Sequence, residues 1–229
     1  MDDTIISRAI RSVSDEFSVE LADSSGMIEE CHRIRYEVYC QERRFLPGQD
    51  GIEHDEYDGH SAHIALLSRR DGEVAGTVRL VLALHGSLEH SFPLQHVCAV
   101  GMPHDMPIHS TAEISRFAIS KTRRGVHTAA LMRIGLFRGI VRASAGLGIT
   151  HWCAVMEPAL LRLLETTSIR FQAIGPIVDY HGLRQPCYNT IDRVMDGIRR
   201  GRPPIWDYLT NNGEYWPPAC LHAPAVMAG

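Results

Sequence analysis

The sequence predicts an α/β fold in which a mixed central sheet is flanked by helices. Three observations predict it. Apolar residues recur at helical spacing between Met27 and Arg43. Two apolar runs, 63–70 and 73–84, flank Asp71-Gly72, a pairing that signals a β-hairpin. Beyond residue 110, strand-length apolar runs alternate with helical patterns, which calls for parallel crossovers.

Taken in order, residues 16–22 (EFSVELA) read as a first strand. Asp23, Ser24 and Ser25 then offer an N-cap to a helix over 27–43, with Ile28, Cys31, Ile34 and Val38 on one face. Residues 46–61 form an acid-rich loop that leads into the hairpin. Residues 85–110 are irregular, with a short helix in SFPLQHV. TAEISRFAIS (111–120) is a strand, and the turn KTRRG opens a long helix over 126–146, ended by Gly146 and Gly148. A strand (149–156), a helix with Pro158 in its first turn (158–167) and a short strand (171–180) follow. HGLRQPCYN reads as a turn before a helix over roughly 188–199. The expected organisation is one domain over 1–229, with 187–229 a C-terminal helical extension that ends in a frayed tail.

The composition is ordinary for a globular chain, with 45% hydrophobic and 22% charged residues. A net charge of −4 gives no footprint for nucleic acid. Six scattered cysteines without CxxC spacing read as buried small hydrophobes in a reducing compartment. The first residues carry acids and no long apolar run, and no stretch reaches the ~20 apolar residues of a membrane span. A cytoplasmic location is therefore expected. The thirteen histidines show no HExxH and no other ligand spacing, so no metal is expected.

The anomaly lies in the charged residues inside apolar strands. Period two places Glu113, Ser115 and Phe117 on one face of TAEISRFAIS and Ile114, Arg116 and Ala118 on the other. Arg79 sits within the apolar run EVAGTVRLVLAL, and Arg35 within the apolar pattern of the helix. Buried charges need partners. The acids of EHDEYD, Asp55 and Asp58, are available. One network of Arg35, Asp55, Asp58, Arg79, Glu113 and Arg116 lining a cleft satisfies them all, and so would a set of structural ion pairs.

These residues also form a recognisable order. Arg35 is followed by Tyr39, then by D-x-x-D (Asp55, Asp58), GTVRL (76–80), SFPL (91–94) and E-x-x-R-F (113–117). The pattern resembles the acyl-homoserine-lactone autoinducer synthases. With MEP at 156–158 and the stretch from Ile174 through HGLRQP, it resembles more closely their relatives, the N-acyl amino acid synthases and exosortase-associated acyltransferases. The resemblance covers about residues 25–190.

It implies a GNAT-type fold and transfer of a long-chain fatty acyl group from an acyl carrier protein or coenzyme A thioester to the amine of an amino acid. The alternatives are an autoinducer synthase using S-adenosylmethionine and a generic acyl-CoA N-acyltransferase. Glu113 corresponds to the catalytic acid of the family, and Arg79 and Arg116 to its charged partners. Arg35, Tyr39, Asp55, Asp58, Phe92, Phe117, Ala118, Ile119 and Arg184 are the expected substrate-binding set. The autoinducer synthases carry Trp where this chain has Phe45, which favours an amino acid acceptor. The pyrophosphate loop of many GNAT enzymes is reduced here to Thr122-Arg123-Arg124-Gly125-Val126-His127. Arg123, Arg124 and Gly125 would instead meet the phosphopantetheine or the acidic surface of a carrier protein. No permanently bound cofactor is implied. The lipid product suggests peripheral contact with a membrane.

Aminolysis of a thioester requires a neutral amine, a polarised carbonyl and a route for the thiolate to leave. Glu113 is the expected base. Backbone N–H groups near Ala118 or Ile119 are expected to meet the oxyanion. Arg79, Arg116 and Arg184 are candidates for an acceptor carboxylate. Leu131, Ile134, Phe137, Ile140 and residues of ITHWCAVM supply acyl-chain lining or ordinary core.

Overall fold

A computed structural model of the chain describes residues 2–47, 50–84, 90–97, 106–123 and 128–216. An eight-stranded sheet forms the centre, in the order β1-β2-β3-β4-β5-β8-β6, with β7 paired to β8. The strands are β1 (Phe17–Leu21), β2 (Ser61–Ser68), β3 (Val74–Leu82), β4 (Thr111–Ile119), β5 (His151–Met156), β6 (Gln172–Ala173), β7 (Val178–Asp179) and β8 (Leu183–Thr190). The helices are α1 (Asp3–Glu16), α2 (Ser25–Arg35), α3 (Pro93–Val97), α4 (Thr128–Gly146), α5 (Pro158–Thr166), α6 (Ile191–Gly201) and α7 (Pro203–Thr210). The α/β class and the order of the central elements match the sequence reading.

Several boundaries differ, each for a physical reason. Residues 3–16 form a helix that the sequence reading leaves unassigned. Ile6, Ile10 and Val13 bury one stripe of it, and the Asp2 carboxylate caps it by accepting from the Thr4 N–H at 3.0 Å. The helix expected over 27–43 is α-helical only to Arg35, then widens into a π-helix over Tyr36–Glu42. The strand expected over 171–180 is two two-residue pieces. Only His181 and Gly182 of HGLRQPCYN turn, because the strand Leu183–Thr190 follows at once, pairs along the whole of β5 and carries Pro186 within it. The boundary expected at residue 187 therefore falls inside the main sheet. Among the described residues one neighbouring pair, β4–β5, is parallel, so the sheet is mostly antiparallel rather than built on repeated crossovers.

One hydrophobic cluster runs from Ile6 and Ile10 of α1 through the sheet and α4 to Ile205 and Leu209 of α7. The helix α4 seats against β1 and β2 through glycine. A Cβ on Gly139 would overlap Ile64 Cγ2 and come within 2.7 Å of Val19 Cγ2. Across the sheet, α2 buries Cys31 and Ile34 against Ala65, Val74 and Ala118. Cys31, Cys153 and Cys187 are buried free thiols, as expected of small hydrophobes, whereas Cys40 is a free thiol only partly buried. Cys98 and Cys220 lie outside the described residues. None of the described helices is long and apolar enough to cross a membrane.

Candidate active site

Strands β4 and β5 separate early. Their parallel register covers Thr111↔His151, Ala112↔Trp152 and Glu113↔Cys153. Past Glu113 the β4 edge opens on a cleft of about 320 Å³. Its walls come from the π-helix (Val38, Tyr39), from β4 (Ile114, Phe117, Ile119), from β5 and α5 (Val155, Met156, Leu160) and from Phe137 of α4.

The pattern of β4 is broken at Arg116. Arg79 pairs with Ser115 and Thr77 with Ala118, so two residues of β4, 116 and 117, stand opposite Val78. Arg116 takes a left-handed conformation, with φ 52°. Such a bulge adds one residue and turns the local side chains. Arg116 consequently joins the face of Arg79, whereas strict alternation places it opposite Glu113. The backbone strain is on the order of 1 kcal/mol, and the ion pairs that Arg116 makes there offset it.

Those ion pairs close a ring. Arg35 donates through Nε to Glu53 and through Nη1 and Nη2 to Asp58 at 2.6 and 3.0 Å. Arg79 donates to Asp58 at 2.7 Å and to both oxygens of Asp55. Arg116 donates to Asp55 at 2.8 Å and to Glu53 at 3.0 Å. Three guanidinium groups thus alternate with three carboxylates, and the ring is neutral. Arg35 and Arg79 are completely buried. Burial raises the Asp58 carboxyl, but hydrogen bonds to Arg35 and its charge outweigh this and hold Asp58 well below the usual carboxylate range. The balance at Asp55 is similar, with Arg79 supplying the opposing interaction. Glu53 is absent from the expected set. It sits two residues before Asp55 in a loop with no periodicity, and the fact that three arginines require three acids was the only signal for it.

Glu113 stands outside the ring and reaches the cleft. Its side chain is buried, and Oε2 accepts from the Leu94 N–H at 2.8 Å. Burial pushes its pKa up to about 7, against that hydrogen bond and the charges of Arg79 and Arg116. Of the six charged residues expected to line one cleft, Glu113 and Arg116 do so. Arg35, Asp55, Asp58 and Arg79 do not, because each spends its donors or acceptors inside the ring.

The remaining expected residues divide. Tyr39 lines the cleft and donates through its hydroxyl to the Phe117 carbonyl at 3.1 Å, which fastens the π-helix to the bulge. Phe117 and Ile119 line the cleft, whereas the Ala118 side chain packs beneath α2. Phe92 is buried with Tyr57 and Val81 away from the cleft. Arg184 is at the mouth, with its guanidinium 5.1 Å from the Phe45 ring centroid and 3.5 Å from Glu157. Arg123 is turned to Asp71 at 2.6 Å and to Glu73. Arg124 and Gly125 lie outside the described residues. Of the apolar lining candidates, Phe137, Val155 and Met156 face the cleft, while Leu131, Ile134 and Ile140 belong to the core. Arg43, Arg133 and His181 also line the cleft and were not among the expected residues, and Tyr180 lines it as well.

One group of possible metal ligands occurs among the described residues, where His32, His63 and Asp58 bring one ligand atom each to within 4.8 Å of one another. The donor set fits a cation poorly. Both Asp58 oxygens already accept from Arg35, and they also accept from Arg79 and the Asp55 N–H, so a metal would displace buried guanidinium groups.

Comparison with known proteins agrees with this geometry. Residues 34–133 match the family described as the acetyltransferase (GNAT) domain. Among curated proteins no sequence matches. The chain is similar to the AHL synthase LasI, at 22% identity over 76% of this chain and 89% of that one, with a TM-score of 0.60. It is similar to BjaI, a CoA-dependent acyl-homoserine lactone synthase solved with SAM and isopentyl-CoA, at 22% identity over 86% of this chain and 88% of that one (TM-score 0.60). It is also similar to FeeM, an N-acyl amino acid synthase from uncultured soil microbes, at 14% identity over 79% and 93% of the two chains (TM-score 0.51). The ring and Glu113 all fall inside the matched span, which makes this cleft the candidate active site of a GNAT-type acetyltransferase domain matched over residues 34–133.

Proposed function

We propose that the chain transfers a long-chain acyl group from a thioester, on an acyl carrier protein or coenzyme A, to the amine of an amino acid. The observation that supports this best is a buried carboxyl, Glu113, poised near pH 7 on the floor of an open, largely apolar cleft. A base with that pKa suits deprotonation of an α-ammonium group near neutral pH.

The chemistry follows from the positions. The Glu113 carboxylate takes a proton from the acceptor ammonium, directly or through one water. The freed nitrogen lone pair attacks the thioester carbonyl, and the π electrons move to oxygen. The Ser120 N–H bonds the Ala75 carbonyl on the β3 side, so strand alternation turns the Ile119 N–H to the free edge, where it can meet that oxyanion. Collapse expels the thiolate, which takes up the second proton lost by the attacking nitrogen, and leaves a neutral amide and a thiol. The acyl chain rests among Phe117, Phe137, Val155, Met156 and Leu160.

Among the candidates for an acceptor carboxylate, Arg184 is the best supported. Arg79 is fully committed to Asp55 and Asp58, and Arg116 to Glu53 and Asp55. Arg184 meets a single described carboxylate, Glu157, at a distance beyond a hydrogen bond. Its Nη1 donates to the Leu183 carbonyl at 3.0 Å, and the remaining donors of the guanidinium, held over Phe45, suit a carboxylate.

Mass spectrometry of reactions that supply acyl carrier protein or acyl-CoA donors with amino acids or S-adenosylmethionine tests the proposal. Acyl amino acids support it. Acyl homoserine lactone assigns the S-adenosylmethionine reading instead, and a product from a simple amine alone assigns the generic N-acyltransferase.

A further inference from the structure

Among the described residues six large hydrophobic side chains are exposed. Ile5, Leu21 and Leu147 fall on three separate elements, as single apolar surface residues commonly do. Ile177, Tyr180 and Leu183 share one hairpin, with exposures of 51, 36 and 64%. Strands β7 and β8 form it through the register Val178↔Arg184 and Asp179↔Leu183, which leaves Tyr180, His181 and Gly182 as a three-residue tip. The tip is tightly folded. His181 and Gly182 have φ of 54 and 95°, and the Gly182 N–H bonds Asp179 Oδ1 at 3.2 Å. An ordered hairpin that holds three apolar side chains in water has a use for them.

Its location narrows that use. Tyr180, His181 and Arg184 line the cleft, so the tip stands at the mouth. Arg43 lies at the same mouth, half exposed, and Arg44 beside it in the chain is exposed. Glu157 stands within 4 Å of both Arg43 and Arg184, and the carboxylate of exposed Glu56 acts on Tyr180 of the tip, so Arg44 is the exposed arginine there with no described acid placed against it. Apolar side chains with an amphipathic tyrosine among them and cations at their flank match the interface of an anionic bilayer.

We infer that the 177–183 hairpin docks the protein on an anionic lipid surface, with Ile177 and Leu183 entering the headgroup boundary and the cleft mouth facing it. The inference rests on the lipid-product reading for its biological sense, since a fatty amide released at that mouth enters the bilayer without crossing water. Its physical content is independent of catalysis. Two aliphatic side chains give weak, reversible attachment, which the flanking arginines strengthen only where the surface is negative.

Co-sedimentation of the full chain with vesicles tests the inference, and it requires no turnover. Phosphatidylcholine vesicles with roughly one third phosphatidylglycerol should retain the protein, and phosphatidylcholine alone should retain much less. The Ile177→Ser/Leu183→Ser double variant should lose at least about tenfold in partitioning to anionic vesicles, with an unchanged thermal midpoint. Ile177→Leu should keep it. Absence of binding by the wild type, or equal binding by the double variant, overturns the inference. So does a double variant whose only loss is affinity for acyl carrier protein, since that result assigns the hairpin to the carrier. Failure of acyl transfer in the product assay leaves the sedimentation result standing, so the two readings fail separately.

Discussion

Arg116 donates to Glu53 at 3.0 Å across 63 positions of chain, and it reaches that acid because β4 bulges at residue 116. The same acid accepts from Arg35 of α2. A single loop carboxylate therefore ties the opened strand to the helix before the π-helix. Removing it leaves two buried guanidinium groups short of a partner. Glu53→Ala should lower unfolding stability by about 3–5 kcal/mol, the range for breaking a buried pair from one side. Urea denaturation measures this, and a loss under about 1 kcal/mol, the range of surface pairs, would show that the ring is not a buried unit.

The seat of α4 gives a second test, in which two effects oppose each other. Glycine within a helix usually costs about 1 kcal/mol relative to alanine, so Gly139→Ala gains helix propensity. The added methyl would overlap Ile64, a branched side chain fixed in β2. Overpacking of that kind costs about 1–3 kcal/mol and outweighs the propensity. A lower thermal midpoint is expected. A higher one would mean that α4 stands further from the sheet than the structure places it.

Much of this arrangement was legible in the sequence. Arg35, Arg79, Glu113 and Arg116 stand out because charge inside an apolar run requires a partner. Strands β2 and β3 were legible because Asp71-Gly72 punctuates them. What escaped had no period to betray it. Glu53 is one of several acids in a loop. Strand β8 is disguised by Pro186 and by polar residues that a half-buried strand tolerates. The bulge at Arg116 inverts the face that alternation assigns, so the ring could not be drawn from period two. In α1 the signal was present in Ile6, Ile10 and Val13, on a helix too short to stand without α4 and α7.

Two buried groups make opposite demands on pH. Burial raises Glu113 from 4.5 to about 7, so the folded state binds its proton more tightly than the unfolded chain. The stability this contributes is whole below pH 4.5 and is lost as pH rises to about 7. Burial lowers His63 from 6.5 to about 4, and its contribution is present above 6.5 and lost as pH falls towards 4. Between pH 4.5 and 6.5 the Glu113 slope opposes that of His63 and of His32, whose pKa burial also lowers, so the wild type should vary less than a protein without Glu113. Glu113→Gln removes that opposition, so the thermal midpoint of the variant should fall as pH drops through that window. Parallel curves for the two proteins would contradict the raised pKa of Glu113.

Arg184→Met keeps an unbranched side chain beside Phe45 and removes the charge. A lost hydrogen bond to a charged group corresponds to about 1.5–3 kcal/mol, which predicts a rise of roughly ten- to a hundredfold in KM for the amino acid with kcat little changed. A simple alkylamine acceptor should not distinguish the variant from the wild type. Equal KM values for the amino acid would move carboxylate recognition elsewhere in the cleft.

The role of Glu113 is tested most directly by the pH dependence of kcat/KM for the wild type and Glu113→Gln. The wild-type value should rise about tenfold per pH unit and level off above about 7, as the Glu113 carboxyl loses its proton. The variant should lose roughly a hundredfold or more, and the inflection with it. A folded Glu113→Gln protein that keeps wild-type turnover and the same inflection would contradict the assignment of Glu113 as the base.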